Sequence, residues 1–128
     1  MIYVDTSVVL AELLAEDRHP DPMFWRQPLV SSRLLEYETW VRLNARGLGP
    51  THGEAAEALL AGIAIGEMSR SVLDRVRHPF PKPVRTLDAI HLASLEFLRD
   101  RGVSCPLATF DANQRESAIA LGLDVHQL

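Results

Sequence analysis

Three aspartates of this 128-residue chain, Asp5, Asp88 and Asp111, stand where an acidic side chain can do chemistry. Asp5 ends the hydrophobic opening run Met1-Ile2-Tyr3-Val4 and is followed by Thr6 and Ser7. Asp111 ends a second apolar run, Leu107-Ala108-Thr109-Phe110. Asp88 falls in the first turn of a predicted helix, within Arg85-Thr86-Leu87-Asp88-Ala89-Ile90-His91-Leu92-Ala93. Ligands of open parallel sheets bind beyond the carboxyl ends of the strands, so acids placed there converge on one pocket. Clustered carboxylates repel and raise one another's pKa values unless a cation sits among them. All-oxygen donors favour Mg²⁺ or Mn²⁺, and the chain has no Cys/His spacing that would suit zinc. Such a site suits phosphoryl transfer to water, with the metal activating its bound water and stabilising charge on the phosphate.

A fourth acid is expected on the helix predicted from Ser32 to Arg46, where Glu36 and Glu38 compete. At about 100° per residue, Leu34, Tyr37, Val41 and Ala45 define an apolar face. Glu38 falls within roughly 60° of its centre and Glu36 points nearly opposite. A carboxylate turned toward the core is costly unless paired, which singles out Glu38. Each acid also has an ordinary structural role open to it. Asp5 and Asp111 can cap the helices that follow, Asp111 with Gln114 as a capping-box partner. Asp88 complements a helix dipole, and Glu38 could form a buried ion pair with an arginine. One shared site accounts for all four together.

The elements that must position these acids alternate between strands and helices. Ile2–Val4 reads as a strand, followed by a helix capped by Thr6 or Ser7 and reaching Ala15. Residues 16–28 form a loop with a helical turn near Met23–Arg26, and Leu29–Ser31 a second strand. Ser32 caps the long helix that Gly47 and Gly49 end. Thr51-His52-Gly53-Glu54 reads as a capping box opening a helix to Ile63, and residues 64–70 as a third strand. Ser71–His78, Thr86–Arg101 and Ala112–Leu121 read as helices, Leu107–Phe110 and Asp124–His126 as strands. Alternation of this kind implies an α/β fold with a central parallel sheet covered on both faces, in one domain spanning residues 1–128.

The bulk numbers agree with a globular chain: 47% hydrophobic and 23% charged residues. The apolar stretch Val8–Ala15 contains Glu12 and is too short to span a bilayer, so neither an anchor nor a signal peptide is expected. Cys105 is the sole cysteine, which excludes an internal disulfide and suits a reducing cytoplasm. A net charge of −4 argues against non-specific nucleic-acid binding. Yet 12 of the 13 basic residues are arginines, whose forks match phosphates.

The opening strand Ile2-Tyr3-Val4-Asp5-Thr6-Ser7, the run Ser31-Ser32-Arg33-Leu34-Leu35-Glu36-Tyr37-Glu38, the Asp88 block and the tail Ala108-Thr109-Phe110-Asp111 occur in this order along the whole chain. Together they resemble a PIN-domain ribonuclease, most closely the VapC toxins of bacterial type II toxin–antitoxin systems. The Asp88 block is the most specific part. The resemblance implies a three-layer α/β/α sandwich and a metal-dependent endoribonuclease in which Asp5, Glu38, Asp88 and Asp111 bind Mg²⁺ or Mn²⁺. Thr6 and Thr109 would then line the pocket, and water would attack the phosphodiester to leave 5′-phosphate and 3′-hydroxyl ends. It further implies an RNA substrate, a cognate antitoxin that screens the acids, a homodimer, and a cytoplasmic location without membrane attachment.

Arg85, beside Asp88, has two roles open to it: holding an RNA phosphate or neutralising the acids. His91, on an apolar helix face, reads as a packed core histidine. A Ser7/His91 hydrolase triad is set aside because no Gly-x-Ser-x-Gly elbow occurs, and no phosphate-cradling glycine loop is present. Met23, Phe24, Trp25 and Trp40 read as core, with Phe24-Trp25 in its proline-bounded loop the best candidate for a partner surface. Three rival functions remain. A receiver-like signalling domain wants an acid pair after the first strand and a lysine after the last, but here Asp5 is single and Lys82 lies in a loop. A small-substrate phosphatase wants a second Asp two residues after the first, where Ser7 stands. A PIN nuclease working in RNA processing without an antitoxin fits the same residues.

Overall fold

The computed structural model describes residues 1–128. Its centre is a four-stranded, all-parallel sheet of β1 (Ile2–Val4), β2 (Leu29–Ser32), β3 (Ala64–Gly66) and β4 (Leu107–Ala108), in the order β3-β2-β1-β4. Tyr3 lies opposite Val30 on one side and Leu107 on the other, so β1 is central. The chain moves outward from β1 through β2 to β3 and then returns to place β4 on the far side of β1. The direction of winding therefore reverses between β1 and β4, and ligands of open α/β sheets bind at such reversals. The last expected strand, Asp124–His126, is reduced to a single bridge from Val125 to Leu107.

Alternation along β1 divides the core. Ile2 and Val4 face a cluster containing Val8, Val9, Phe24, Leu35 and Leu60, which come from α1 (Thr6–Leu13), a 3-10 turn (Pro22–Arg26), α2 (Leu34–Ala45) and α3 (Gly49–Ala61). Tyr3 faces Val30, Leu92, Leu95, Leu107 and Ala118, where α5 (Thr86–Asp100) and α6 (Ala112–Ala120) cover the sheet. The result is the expected α/β/α sandwich, with the short α4 (Arg70–Val76) packed on α5. Val4, Leu35 and Leu107 are wholly buried. Each stabilises the fold by roughly 1.5–3 kcal/mol relative to exposure, and together they fix the level at which the strands end.

Several local expectations are corrected. Asp5, not Thr6 or Ser7, caps α1. Helix α3 starts at Gly49, two residues before Thr51, because Pro50 occupies its first turn, where a missing N–H costs nothing. Thr51 therefore lies inside the helix, and its hydroxyl donates to the Leu48 carbonyl instead of capping. Ser69, ahead of the expected start at Ser71, caps α4. Helix α2 ends as expected at Gly47, whose φ of 67° lets the Leu48 N–H close back on the Leu43 carbonyl.

The face of α2 is also redrawn. Leu34, Leu35, Thr39 and Leu43 are buried, whereas Tyr37 is 58% exposed and Val41 64%. Thr39 is accommodated because its hydroxyl donates to the Leu35 carbonyl one turn back. Phe24 is buried, and Trp25 packs on the same cluster. The apolar anchors expected in the Phe24-Trp25 loop are thus committed to the core, and the exposed apolar side chains beside the acids are Tyr37, Val41 and Leu87.

Candidate active site

A cavity of about 580 Å³ opens beyond the ends of β1 and β4, and its wall includes Asp5, Glu38, Asp88 and Asp111. Four different elements deliver them. Asp5 follows β1, Glu38 sits in the second turn of α2, Asp88 in the first turn of α5, and Asp111 at the start of α6. Glu36 does not join them, because it is held by Arg33 at 2.9 Å on the far side of α2.

Three of the carboxylates are anchored through one oxygen each. Asp5 is almost fully buried, and its Oδ2 accepts from Ser7 Oγ (2.6 Å), Thr109 Oγ1 (2.8 Å) and the Ser7 N–H (3.3 Å). Glu38 Oε1 accepts from Thr6 Oγ1 at 2.7 Å and from His91 Nε2 at 2.6 Å. Asp111 Oδ1 takes the N–H groups of Asn113 (2.9 Å) and Gln114 (3.2 Å), capping α6. Asp5 Oδ1, Glu38 Oε2 and Asp111 Oδ2 have no protein partner. The Asp88 carboxylate has none at either oxygen, although its backbone carbonyl accepts from Gln114 Nε2 at 3.3 Å. One oxygen fixes each anchored acid and the other remains available.

The electrostatics follow from this arrangement. Burial, and then the charges of Asp5, Asp111 and Glu38, hold the Asp88 carboxyl above the usual range, against a smaller opposing pull from His91. Burial pushes Glu38 up too, but the His91 hydrogen bond and charge, the Thr6 hydroxyl and the Arg42 charge outweigh it, so its carboxyl titrates below the usual value. For His91, burial favours the neutral ring, and the Glu38 hydrogen bond with the charges of Asp5, Glu38 and Asp88 overcomes it and raises the pKa. The other ring nitrogen, Nδ1, lies 2.8 Å from the Tyr3 hydroxyl, which burial keeps protonated.

Thr6 lines the cavity and holds Glu38. Thr109 lies behind the wall instead of in it, fully buried, with its hydroxyl on Asp5 and its Oγ1 accepting the Asp111 N–H at 3.0 Å. Arg85 lines an adjoining cavity that shares Asp88 and Asp111 with the first. The partner of Glu38 is His91 and not an arginine. His91 is indeed buried, but it also touches the acid site. Its position one helical turn after Asp88 was the available signal. Ser7, set aside as a nucleophile, ties the two strand ends together by donating to Asp5 and accepting the Phe110 N–H at 3.0 Å.

No three Asp, Glu, His or Cys side chains stand close enough to close into a ligand set. The donors still fit a hard divalent cation in kind: they are oxygens, carry negative charge, and include unpartnered atoms on all four residues.

The PIN domain family model matches residues 2–120. The chain belongs to the PIN-domain family. This PIN domain is 33% identical to ribonuclease VapC46 of Mycobacterium tuberculosis over 129 aligned positions, covering 97% of the chain and 95% of that relative. Its fold is similar to the crystal structure of M. tuberculosis VapC20, a sarcin–ricin loop cleaving toxin, with a TM-score of 0.62 at 20% identity over 91% of the chain and 95% of VapC20. It is also similar to a chain of a toxin–antitoxin complex from Klebsiella pneumoniae, with a TM-score of 0.64 at 19% identity over 89% of each chain. No helix of this PIN domain is long and apolar enough to cross a membrane.

Proposed function

We propose that this PIN domain is a Mg²⁺-dependent endoribonuclease, with Mn²⁺ an equivalent ion, acting as the toxin of a type II toxin–antitoxin pair. The observation that carries the reading is the meeting of Asp5, Glu38, Asp88 and Asp111 in one cavity at the reversal of the sheet. It is supported by the ribonuclease relative that covers nearly the whole chain. These four carboxylates would hold the cation, which when bound supplies activation of the attacking water and charge stabilisation at the phosphate.

The remaining side chains act by positioning. Ser7 and Thr109 hold Asp5, Thr6 and His91 hold Glu38, and the Asp111 cap orients its own carboxylate. Arg18 and Arg42 on the same wall offset the negative charge and suit the RNA backbone. Cleavage then proceeds by in-line attack of water on the phosphodiester, leaving 5′-phosphate and 3′-hydroxyl ends with no covalent enzyme intermediate.

The toxin reading includes a homodimer and a cognate antitoxin that covers the acids, with exposed Tyr37 and Val41 as an apolar rim for that partner. Purified chain is expected to cut single-stranded RNA in Mg²⁺ and to stop in chelator. Its expression is expected to arrest growth, and co-expression of the adjacent gene to restore it. RNA left intact with either ion contradicts the nuclease; harmless expression with no co-purifying protein contradicts the toxin alone.

A further inference from the structure

The second cavity, of about 650 Å³, is not needed to hold the four acids, yet it shares Asp88 and Asp111 with them. Its size lies within the range of roughly 300–1,000 Å³ typical of small-ligand sites. Only one of its lining residues is hydrophobic. Lys82 and Arg85 are its cations. Lys82 is paired with Glu116 at 2.6 Å, whereas the exposed Arg85 makes no ion pair. Arg85 stands immediately before α5, whose first turn has no side-chain cap, so amide donors at that helix end are unpaired.

Gln114 supplies an independent sign of a ligand. The residue is 1% exposed, its Nε2 donates to the Asp88 carbonyl, and its Oε1 has no partner. A buried acceptor left unpaired destabilises the site, and Gln114 belongs to the lining of this cavity. The exposed Asn113 amide, also in the lining, offers both a donor and an acceptor to a base edge.

We propose that this cavity is a nucleotide subsite for the residue flanking the scissile phosphate of single-stranded RNA: Arg85 takes the flanking phosphate, while Asn113 and Gln114 meet the sugar and base. Arg85 is thus a phosphate ligand and not a neutraliser of the acids. The proposal rests on the nuclease reading, and its test separates the two.

Cleavage of defined single-stranded RNAs is compared for the wild type, Arg85→Gln, Asn113→Ala and the remote control Arg46→Gln, with melting curves to confirm folding. Arg85→Gln is expected to raise KM about five-fold or more, with the loss in KM and not in kcat, and to reduce the slope of log affinity against log salt by about one. Asn113→Ala is expected to change the base preference beside the cut by about three-fold or more, and Arg46→Gln to match the wild type. Wild-type cleavage with unchanged KM, salt slope and base preference in both cavity variants overturns the subsite alone. A fall in kcat with an unaltered salt slope for Arg85→Gln overturns it in favour of charge neutralisation. Normal RNA cleavage with weakened binding of a co-expressed protein overturns it in favour of protein docking. A wild type that cuts no RNA overturns the nuclease reading and the subsite with it.

Discussion

His91 donates from Nε2 to Glu38 Oε1 at 2.6 Å, joining the middle of α5 to the middle of α2 beneath the acid cavity. Each partner supports the charged form of the other. The raised pKa of His91 contributes stability that is full below its ordinary value of 6.5 and is lost as pH rises through the folded value. The lowered pKa of Glu38 contributes stability that is present above its ordinary 4.5 and is lost as pH falls through the folded value.

The first prediction follows from those signs. His91→Gln costs about 2–3 kcal/mol near pH 6, where both charges exist, and less at pH 9, because the imidazolium is lost as pH rises through the raised folded pKa. Urea unfolding in chelator at the two pH values measures the difference. An equal cost at both would show that His91 acts only as packing.

Asp5 gives the second. Ser7 Oγ is a donor to Asp5 and an acceptor from the Phe110 N–H, so one hydroxyl joins the segments after β1 and β4. Ser7→Ala is expected to cost about 1–2 kcal/mol and to raise the Mg²⁺ concentration needed for half-maximal cleavage, with excess Mg²⁺ restoring most of the rate. A variant with wild-type stability and Mg²⁺ requirement contradicts this positioning role.

Relief of carboxylate repulsion belongs to Asp88 and not to Asp5. Asp5 accepts three hydrogen bonds and caps α1, so Asp5→Asn weakens anchoring as well as removing charge. Asp88 has no such bonds, and its raised pKa means that its charged form opposes folding as pH rises above the unfolded value. Asp88→Asn is therefore expected to stabilise the metal-free protein at pH 7 by on the order of 0.5 kcal/mol, a figure discounted for solvent screening at a half-buried group. The gain should vanish below about pH 4, near the ordinary aspartate pKa. Melting curves in chelator at pH 7 and pH 4 test it, and a lower melting temperature at pH 7 contradicts it.

Much of this architecture is legible in the residues. Strand-end acids, glycine stops and the alternation of apolar runs specify the sandwich and bring Asp5, Asp88 and Asp111 to one end of the sheet. The choice of Glu38 over Glu36 agrees with the cavity wall, although the helix face used to make it is mis-centred. Tyr37 and Val41 are apolar yet exposed, while Thr39 is polar yet buried behind an intrahelical hydrogen bond. A wheel built on side-chain polarity alone cannot anticipate that exchange. The His91–Glu38 pair is invisible for a related reason: its partners lie 53 positions apart and meet only after α2 and α5 pack. The start of α3 is different, since Pro50 is a signal in the sequence that the Thr51 pattern obscures.

The four carboxylates are proposed to form a metal-dependent RNA-cleaving centre. Its most direct test is the cleavage rate of a single-stranded RNA by metal-stripped protein titrated with Mg²⁺, in parallel with folded Asp88→Asn. No cutting is expected without metal, with saturable recovery on adding Mg²⁺ and a loss of about 100-fold or more in the variant, the scale seen when a charge-stabilising group is removed from an active site. Wild-type rates in chelator, or in folded Asp88→Asn, would contradict it.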